Sequence, residues 1–262
     1  MEPRMTTGQE ETIMKPEKPT LEIELIQTPK KSGVLAAMLR EKILSEELRE
    51  GDPLPSEREL VEKTGISRTS VREALSLLEA DDLITTRPGR NGGAVVQRPR
   101  PTIMTRPIQL LIRGRGIPFQ AVIDTREALE PSGASLAALH RTDEDLERME
   151  RACLELETSL ENVSRYLKAN TKWHLAVMEA SHNDLLIGFM LAIADVMHAA
   201  TNIDEFNTPE SRLAVAKAHR RVMDAIVSQD APAARRRMER HVVAYSKQIA
   251  PHAPANISLE DH

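Results

Sequence analysis

The sequence predicts a mainly α protein in two parts: a small helical unit closed by a β-hairpin, then an all-α bundle. Three observations carry that prediction. Aromatic residues make up only 2% of the 262 residues, while Leu, Ala, Met, Glu and Arg are plentiful, a composition that favours helix over sheet. Apolar residues recur at three- and four-residue spacing along most of the chain. β-prone segments with strong turn chemistry between them occur at one place, around residues 83–97. The overall composition, 40% hydrophobic and 29% charged, is that of an ordinary globular protein. The 35 Lys and Arg against 40 Asp and Glu leave a net charge of −5. That balance gives no support to nucleic-acid binding and does not exclude it, because local charge decides. No apolar run approaches the ~18 residues of a membrane span. The polar opening segment has no signal-like core. One cysteine, Cys153, excludes an intrachain disulfide framework, so the expected compartment is the reducing cytoplasm.

Residues 1–31 read as a disordered tail, with Pro3, Pro16, Pro19 and Pro29 among scattered charges. From Ser32 to Leu48, Val34, Leu35, Met38, Leu39 and Ile43 predict an amphipathic helix, stopped by Glu50-Gly51-Asp52-Pro53. Ser56 and Glu59 form a capping box that opens a second, short helix ended by Thr64-Gly65-Ile66. Ser67 caps a third, running to about Ala80, with Val71, Ala74, Leu75 and Leu78 inward. Strands follow at Leu83–Arg87 and Gly93–Gln97, around the turn Pro88-Gly89-Arg90-Asn91-Gly92. Helix, helix, tight turn, helix and hairpin make a winged helix-turn-helix over 32–97. Residues 98–107 read as a proline-punctuated linker, 108–250 as a helical domain, and 251–262 as a loose tail. The helices are expected near 107–114, 118–140, 143–159, 161–181, 184–204, 209–229 and 231–249, with Pro131 kinking the second.

A winged helix-turn-helix lays the second helix of its motif in the major groove, N-terminal residues on base edges. Here that segment is Ser67-Arg68-Thr69-Ser70-Val71-Arg72. Arg68 and Arg72 share a face, and either guanidinium can take a guanine edge bidentately. Ser67, Thr69 and Ser70 can bond phosphates. Arg58 can reach from the preceding helix, and Arg87 and Arg90 flank the wing, where Gly89 permits close approach. Leu83–Arg106 holds five Arg and no acid. The alternative is a solvated face, with Arg68 and Arg72 paired to Glu57, Glu62 or Glu73.

In the helical half, Asn170 and His174 share one face at i and i+4. His219 precedes the Gln229-Asp230 turn by about as many residues as His241 follows it, so an antiparallel hairpin sets them level. Three imidazoles and an oxygen ligand would suit Zn²⁺, Ni²⁺ or Mn²⁺. Against this stands the ordinary reading of helical histidines as structural, which we apply to His140, His182, His198, His252 and His262. A metal-dependent enzyme would also want a carboxylate base on the ligand face. Glu179 and Asp224 lie five residues beyond His174 and His219, about 140° around the helix, and miss it. No H-E-x-x-H is present.

Two stretches carry a resemblance. Asp52-Pro53-Leu54-Pro55-Ser56-Glu57-Arg58-Glu59-Leu60 with Ser67-Arg68-Thr69-Ser70-Val71-Arg72-Glu73-Ala74-Leu75 resembles the signature of GntR-type bacterial transcription regulators. Asp82 stands where that family usually has Gly. The resemblance implies operator contacts by Arg58, Arg68, Thr69, Arg72 and Gly89. Residues 108–248 resemble the FCD effector domain of the FadR branch. The motifs are Asp124-Thr125-Arg126-Glu127-Ala128-Leu129-Glu130-Pro131, Asn170-Thr171-Lys172-Trp173-His174, Ala218-His219 and Arg240-His241. The resemblance implies a divalent metal held by Asn170, His174, His219 and His241, with Asn170 where many members have Asp. It also implies a small carboxylate effector on the open positions of the ion, with Arg126 as its partner. The competing reading pairs Arg126 with Glu130 at i+4. The expected whole is a ligand-responsive, cytoplasmic and nucleoid-associated regulator. It would be a homodimeric repressor on an inverted-repeat operator in double-stranded DNA. The rivals are a metal-dependent enzyme, or a constitutive DNA-binding protein whose bundle only dimerises.

Overall fold

The computed structural model describes residues 29–87, 93–201 and 207–249, with backbone alone for 199–201 and 249. The wing turn, including Gly89 and Arg90, and both predicted tails (apart from residues 29–31) lie outside the described residues. The first unit comprises α1 (Lys31–Leu44), α2 (Glu57–Thr64), α3 (Arg68–Ala80), β1 (Ile84–Thr86) and β2 (Ala94–Val96). The strands pair antiparallel with Ile84 opposite Val96 and Thr86 opposite Ala94. Leu35, Leu39, Leu60, Val71, Leu78, Ile84 and Val96 are among the residues that close one apolar core. The capping box forms as the spacing predicts: the Glu59 N–H donates to Ser56 Oγ, and the Ser56 N–H to Glu59 Oε2 at 2.8 Å. Gly65 ends α2 at φ 67°.

Two boundaries differ from expectation. α1 stops at Leu44, four residues before the predicted end, because Glu46 adopts φ 60° and its N–H bonds back to Ile43 O. A left-handed glutamate carries no sequence signal, since Ser-Glu-Glu-Leu reads as continuing helix. Residues 98–107 are largely helical: a 3₁₀ turn spans Pro101–Met104 and runs into α4 (Thr105–Arg115). Pro101 occupies a first-turn position, where its missing N–H costs nothing. The turn packs on α8 so closely that a Cβ on Gly188 would lie 2.6 Å from Met104 Sδ and 3.0 Å from the Pro101 carbonyl oxygen.

The bundle comprises α5 (Phe119–His140), α6 (Asp143–Glu157), α7 (Val163–Glu179), α8 (Asp184–Thr201), α9 (Pro209–Val227) and α10 (Ala231–Ile249). These bounds follow the predicted helices within a few residues, and helix continues through Pro131. α5 lies against α7, α8, α9 and α10. Its buried stripe is Phe119, Val122, Ile123, Arg126, Glu130, Ala134 and Ala137, an i, i+3, i+4 progression that places two charged residues inward. Gly133 lets α5 meet α7, its absent Cβ space filled by Met178 Sδ. Thr142 and Asp145 cap α6 reciprocally. Cys153 is fully buried in the core, as a small apolar residue should be.

Candidate functional site

In the first unit, Ser67 caps α3 by accepting from the Ser70 N–H at 3.1 Å, and its hydroxyl lies 3.0 Å from that of Ser70. Both serines predicted to touch phosphates are thus already engaged in the cap. Arg68 and Thr69 are exposed at the start of α3, and Arg68 has no ion pair among the described residues. Arg72 does pair, its Nε donating to both oxygens of Glu57 at 3.0 and 2.9 Å. Arg58 reaches Glu62 at 3.7 Å. Arg87 follows β1, exposed, its N–H bonded to Gly93 O.

In the bundle, α7 supplies Asn170, Trp173 and His174, α9 His219, α10 His241, and α5 Arg126 and Glu130. The hairpin of α9 and α10 brings His219 and His241 level, their Nε2 atoms 3.1 Å apart. His174 Nε2 lies 3.3 Å from His241 Nε2. A tetrahedral zinc with Zn–N bonds of about 2.0–2.1 Å spaces its ligand nitrogens about 3.3 Å apart, so these two separations suit such an ion, and the three ligand atoms all lie within 4.8 Å of one another. All three rings are buried, with exposures of 3%, 0% and 8%. Asn170, half-buried one turn before His174, lines the same cavity.

Burial drives His241 down to about 3, with His174 and Arg126 adding to the shift. Burial likewise lowers His219, helped by His241, and lowers His174 against the opposing pull of Glu130. All three are therefore neutral at neutral pH, the form that ligates metal. His174 is oriented by Glu130, whose Oε2 lies 2.6 Å from Nδ1. With the proton on Nδ1, the Nε2 lone pair faces the other two histidines. Trp173 stacks on His219 with ring centroids 3.7 Å apart.

Arg126 donates from Nε to Glu130 Oε1, so the predicted alternative pairing forms, and Nη2 lies 3.3 Å from His174 Nε2. Burial opposes the charge on both, yet each holds the other ionised: Arg126 is raised, and Glu130 is held well below the usual carboxylate range. Arg126 nevertheless also lines the cavity, together with Tyr166, Asn170, His174, His241 and Tyr245. The space is about 40 Å³, room for about three waters or the three heavy atoms of a carboxylate. The Tyr245 hydroxyl is buried there without a partner among the described residues, and the Tyr245 ring centroid lies 5.3 Å from the Arg126 guanidinium carbon. Sequence spacing missed the Glu130–His174 bond and Tyr245. The former had a signal: Arg126 and Glu130 both fall on the apolar stripe of α5.

A winged helix-turn-helix joined to a helical bundle with a small histidine- and arginine-lined cavity is the architecture of a DNA-binding regulator with an effector domain. Comparison with known proteins agrees. Residues 31–95 match the bacterial regulatory proteins of the gntR family, and residues 121–244 match the FCD domain. The Glc operon transcriptional activator of Escherichia coli (strain K12) is 29% identical over 238 residues, 87% of this chain and 91% of its own. An Escherichia coli (strain K12) protein assigned by name to regulation of the L-lactate dehydrogenase operon is 30% identical, over 80% of this chain and 83% of its own. The HTH-type transcriptional regulator LutR of Bacillus subtilis (strain 168) is 28% identical, over 80% and 97%. A GntR structure from Streptococcus agalactiae shares the fold at a TM-score of 0.61 and 21% identity, covering 83% of this chain and 99% of that one. The chain belongs to the GntR family, with an FCD effector domain, and is a transcription regulator rather than an enzyme.

Proposed function

We propose that this regulator senses a small carboxylate through a divalent metal held by Asn170, His174, His219 and His241. The observation that carries the reading is the convergence of three neutral, buried imidazole nitrogens at metal-ligand spacing. The ion, when bound, supplies a Lewis-acidic centre for a carboxylate oxygen. This chain's residues do the rest. Glu130 fixes the His174 tautomer. The Arg126 Nη groups and the buried Tyr245 hydroxyl supply donors for the remaining oxygens. One relative is assigned by name to the L-lactate dehydrogenase operon, which favours small 2-hydroxy acids among the carboxylates.

The same reading gives the first unit, 32–97, the operator. Arg68 and Arg72 read the major groove, Arg58 and the segment of Ser67, Thr69 and Ser70 meet the backbone, and Arg87, Gly89 and Arg90 serve the wing. Two copies in a homodimer would span an inverted repeat in cytoplasmic DNA. Effector binding in 108–250 shifts the orientation of the DNA-binding units through the helical 98–107 segment and releases the operator, which makes the protein a repressor. The carbonyl and methionine contacts of Pro101–Met104 with α8 support that route.

Metal content of purified, tag-free protein tests the centre of this reading, for wild type and for His174→Ala with His219→Ala. About one divalent ion per chain, lost in the double variant, is the expected result. No ion after incubation with zinc, nickel and manganese would leave a bundle that dimerises without metal-based sensing.

A further inference from the structure

Glu57 and Arg72 lie on different helices of the DNA-binding unit, Glu57 on α2 and Arg72 on α3. Its carboxylate accepts twice from a single nitrogen, Arg72 Nε, at 3.0 and 2.9 Å. Among the described residues the terminal nitrogens of that guanidinium have no partner. Four of its five N–H donors therefore stay open, on the outer edge of the fork. Glu57 is partly shielded, at the first position of α2 beside the capped Ser56. The favourable end of the helix dipole stabilises its charge there. Arg68, one turn before Arg72 on the same face, has no such tether among the described residues.

We infer that Glu57 is a positioning residue for base reading, holding Arg72 by its stem nitrogen so that the fork meets the base edge already ordered. This rests on the placement of α3 in the major groove proposed above. A carboxylate close to the phosphate backbone repels it, so its removal should raise affinity for any duplex. A positioning carboxylate does the opposite for the correct duplex alone, because Arg72 must then be ordered at the moment of binding. Ordering one rotamer-rich side chain is worth about 2- to 12-fold in affinity.

The test uses the full chain and a duplex enriched by the wild-type protein from a randomised 20-base-pair pool. Affinity is measured at one fixed salt concentration for that duplex and for a scrambled duplex of the same composition. The proteins are wild type, Glu57→Gln, Arg72→Ala and the double variant. Glu57→Gln should weaken the enriched duplex about 2- to 12-fold and leave the scrambled one unchanged or slightly tighter. In the Arg72→Ala background the same substitution should no longer change the ratio. Relaxation of the Arg72 Nε–H resonance in free Glu57→Gln should show a gain in mobility, a readout that a general loss of fold would not single out. A rise in affinity for both duplexes would make Glu57 a mask rather than a guide and overturn the inference. So would an unchanged ratio. Failure of the wild type to enrich any duplex would instead overturn the base-reading placement, and this inference with it.

Discussion

Glu130 offers the sharpest test of how the sensing site is built. It is fully buried, with Arg126 at 4% exposure, and its two oxygens serve Arg126 Nε and His174 Nδ1. Glu130→Gln keeps the volume and removes the charge. The guanidinium is then left inside the bundle with the His174 ring, the Tyr245 ring and no anion. Removing one partner of a buried pair typically costs about 3–5 kcal/mol, because the other charge stays desolvated and unpaired. Adding Arg126→Met takes that charge away, so the double variant should recover most of the loss. What remains is the weakened bond to His174, roughly 1–3 kcal/mol. Urea unfolding of metal-free protein, with an unchanged dependence on denaturant, reads these differences directly. Metal affinity should fall about 10–100-fold in Glu130→Gln, because the His174 tautomer is no longer fixed; competition with a chelating dye measures it. A single variant costing under about 1 kcal/mol, or a double variant no better than the single, would refute the view that Glu130 exists to balance Arg126.

Three further expectations concern other elements. Arg68→Ala or Arg72→Ala should each cost roughly 1–3 kcal/mol at the operator and relax base preference; unchanged specific binding would displace α3 from the groove. Asp145 is buried, and although burial raises its pKa, the Thr142 cap, Arg148 and His182 hold it well below its unfolded value. Its contribution is therefore fully present above the unfolded value of about 4 and lost as pH falls through the folded value. Asp145→Asn, which can still cap α6, should flatten the stability curve between about pH 5 and pH 2, and an unaltered acid limb in calorimetry would exclude the assignment. Gly188→Ala gains up to about 1 kcal/mol of helix propensity but drives a methyl against the Pro101 carbonyl oxygen at 3.0 Å. Hydrogen exchange at 101–104 should accelerate, and exchange at the wild-type rate would mean the 3₁₀ turn yields without loosening.

What the sequence made legible follows from which interactions are local. The capping box at Ser56 and Glu59, the Ser67 cap, the two strands of the hairpin and the levelling of His219 with His241 all depend on residues a few positions apart or on one helix repeat. Each of these reappears in the structure. Side-chain choices between partners were not legible, because spacing lists candidates without ranking them. For Arg72 the spacing allowed guanine or three glutamates, and only the packing of α2 on α3 selects Glu57. For Arg126 it allowed Glu130 or an effector. In the structure Glu130 takes the stem nitrogen, and the guanidinium still lines the cavity.

The two arginines share one arrangement: a glutamate on a nearby turn or helix binds Nε and does not take the terminal nitrogens. The same economy links the two halves of the chain. Asp82, in the left-handed conformation at φ 56°, stands where the resembled family usually has Gly. An aspartate tolerates that conformation better than most residues, and here its carboxylate has work that glycine could not do. It accepts from the Arg100 N–H at 2.8 Å, from the Arg100 guanidinium at 3.0 and 3.2 Å, and from Gln97. Asp81 beside it binds Arg40 of α1. The end of α3 is therefore clasped to the residue that precedes the 3₁₀ turn, and that turn sits on Gly188 of α8. A displacement of α8 would reach α3 through two short, hydrogen-bonded or tightly packed steps rather than through a slack linker. This is why the helical character of 98–107 matters more than its prolines suggested.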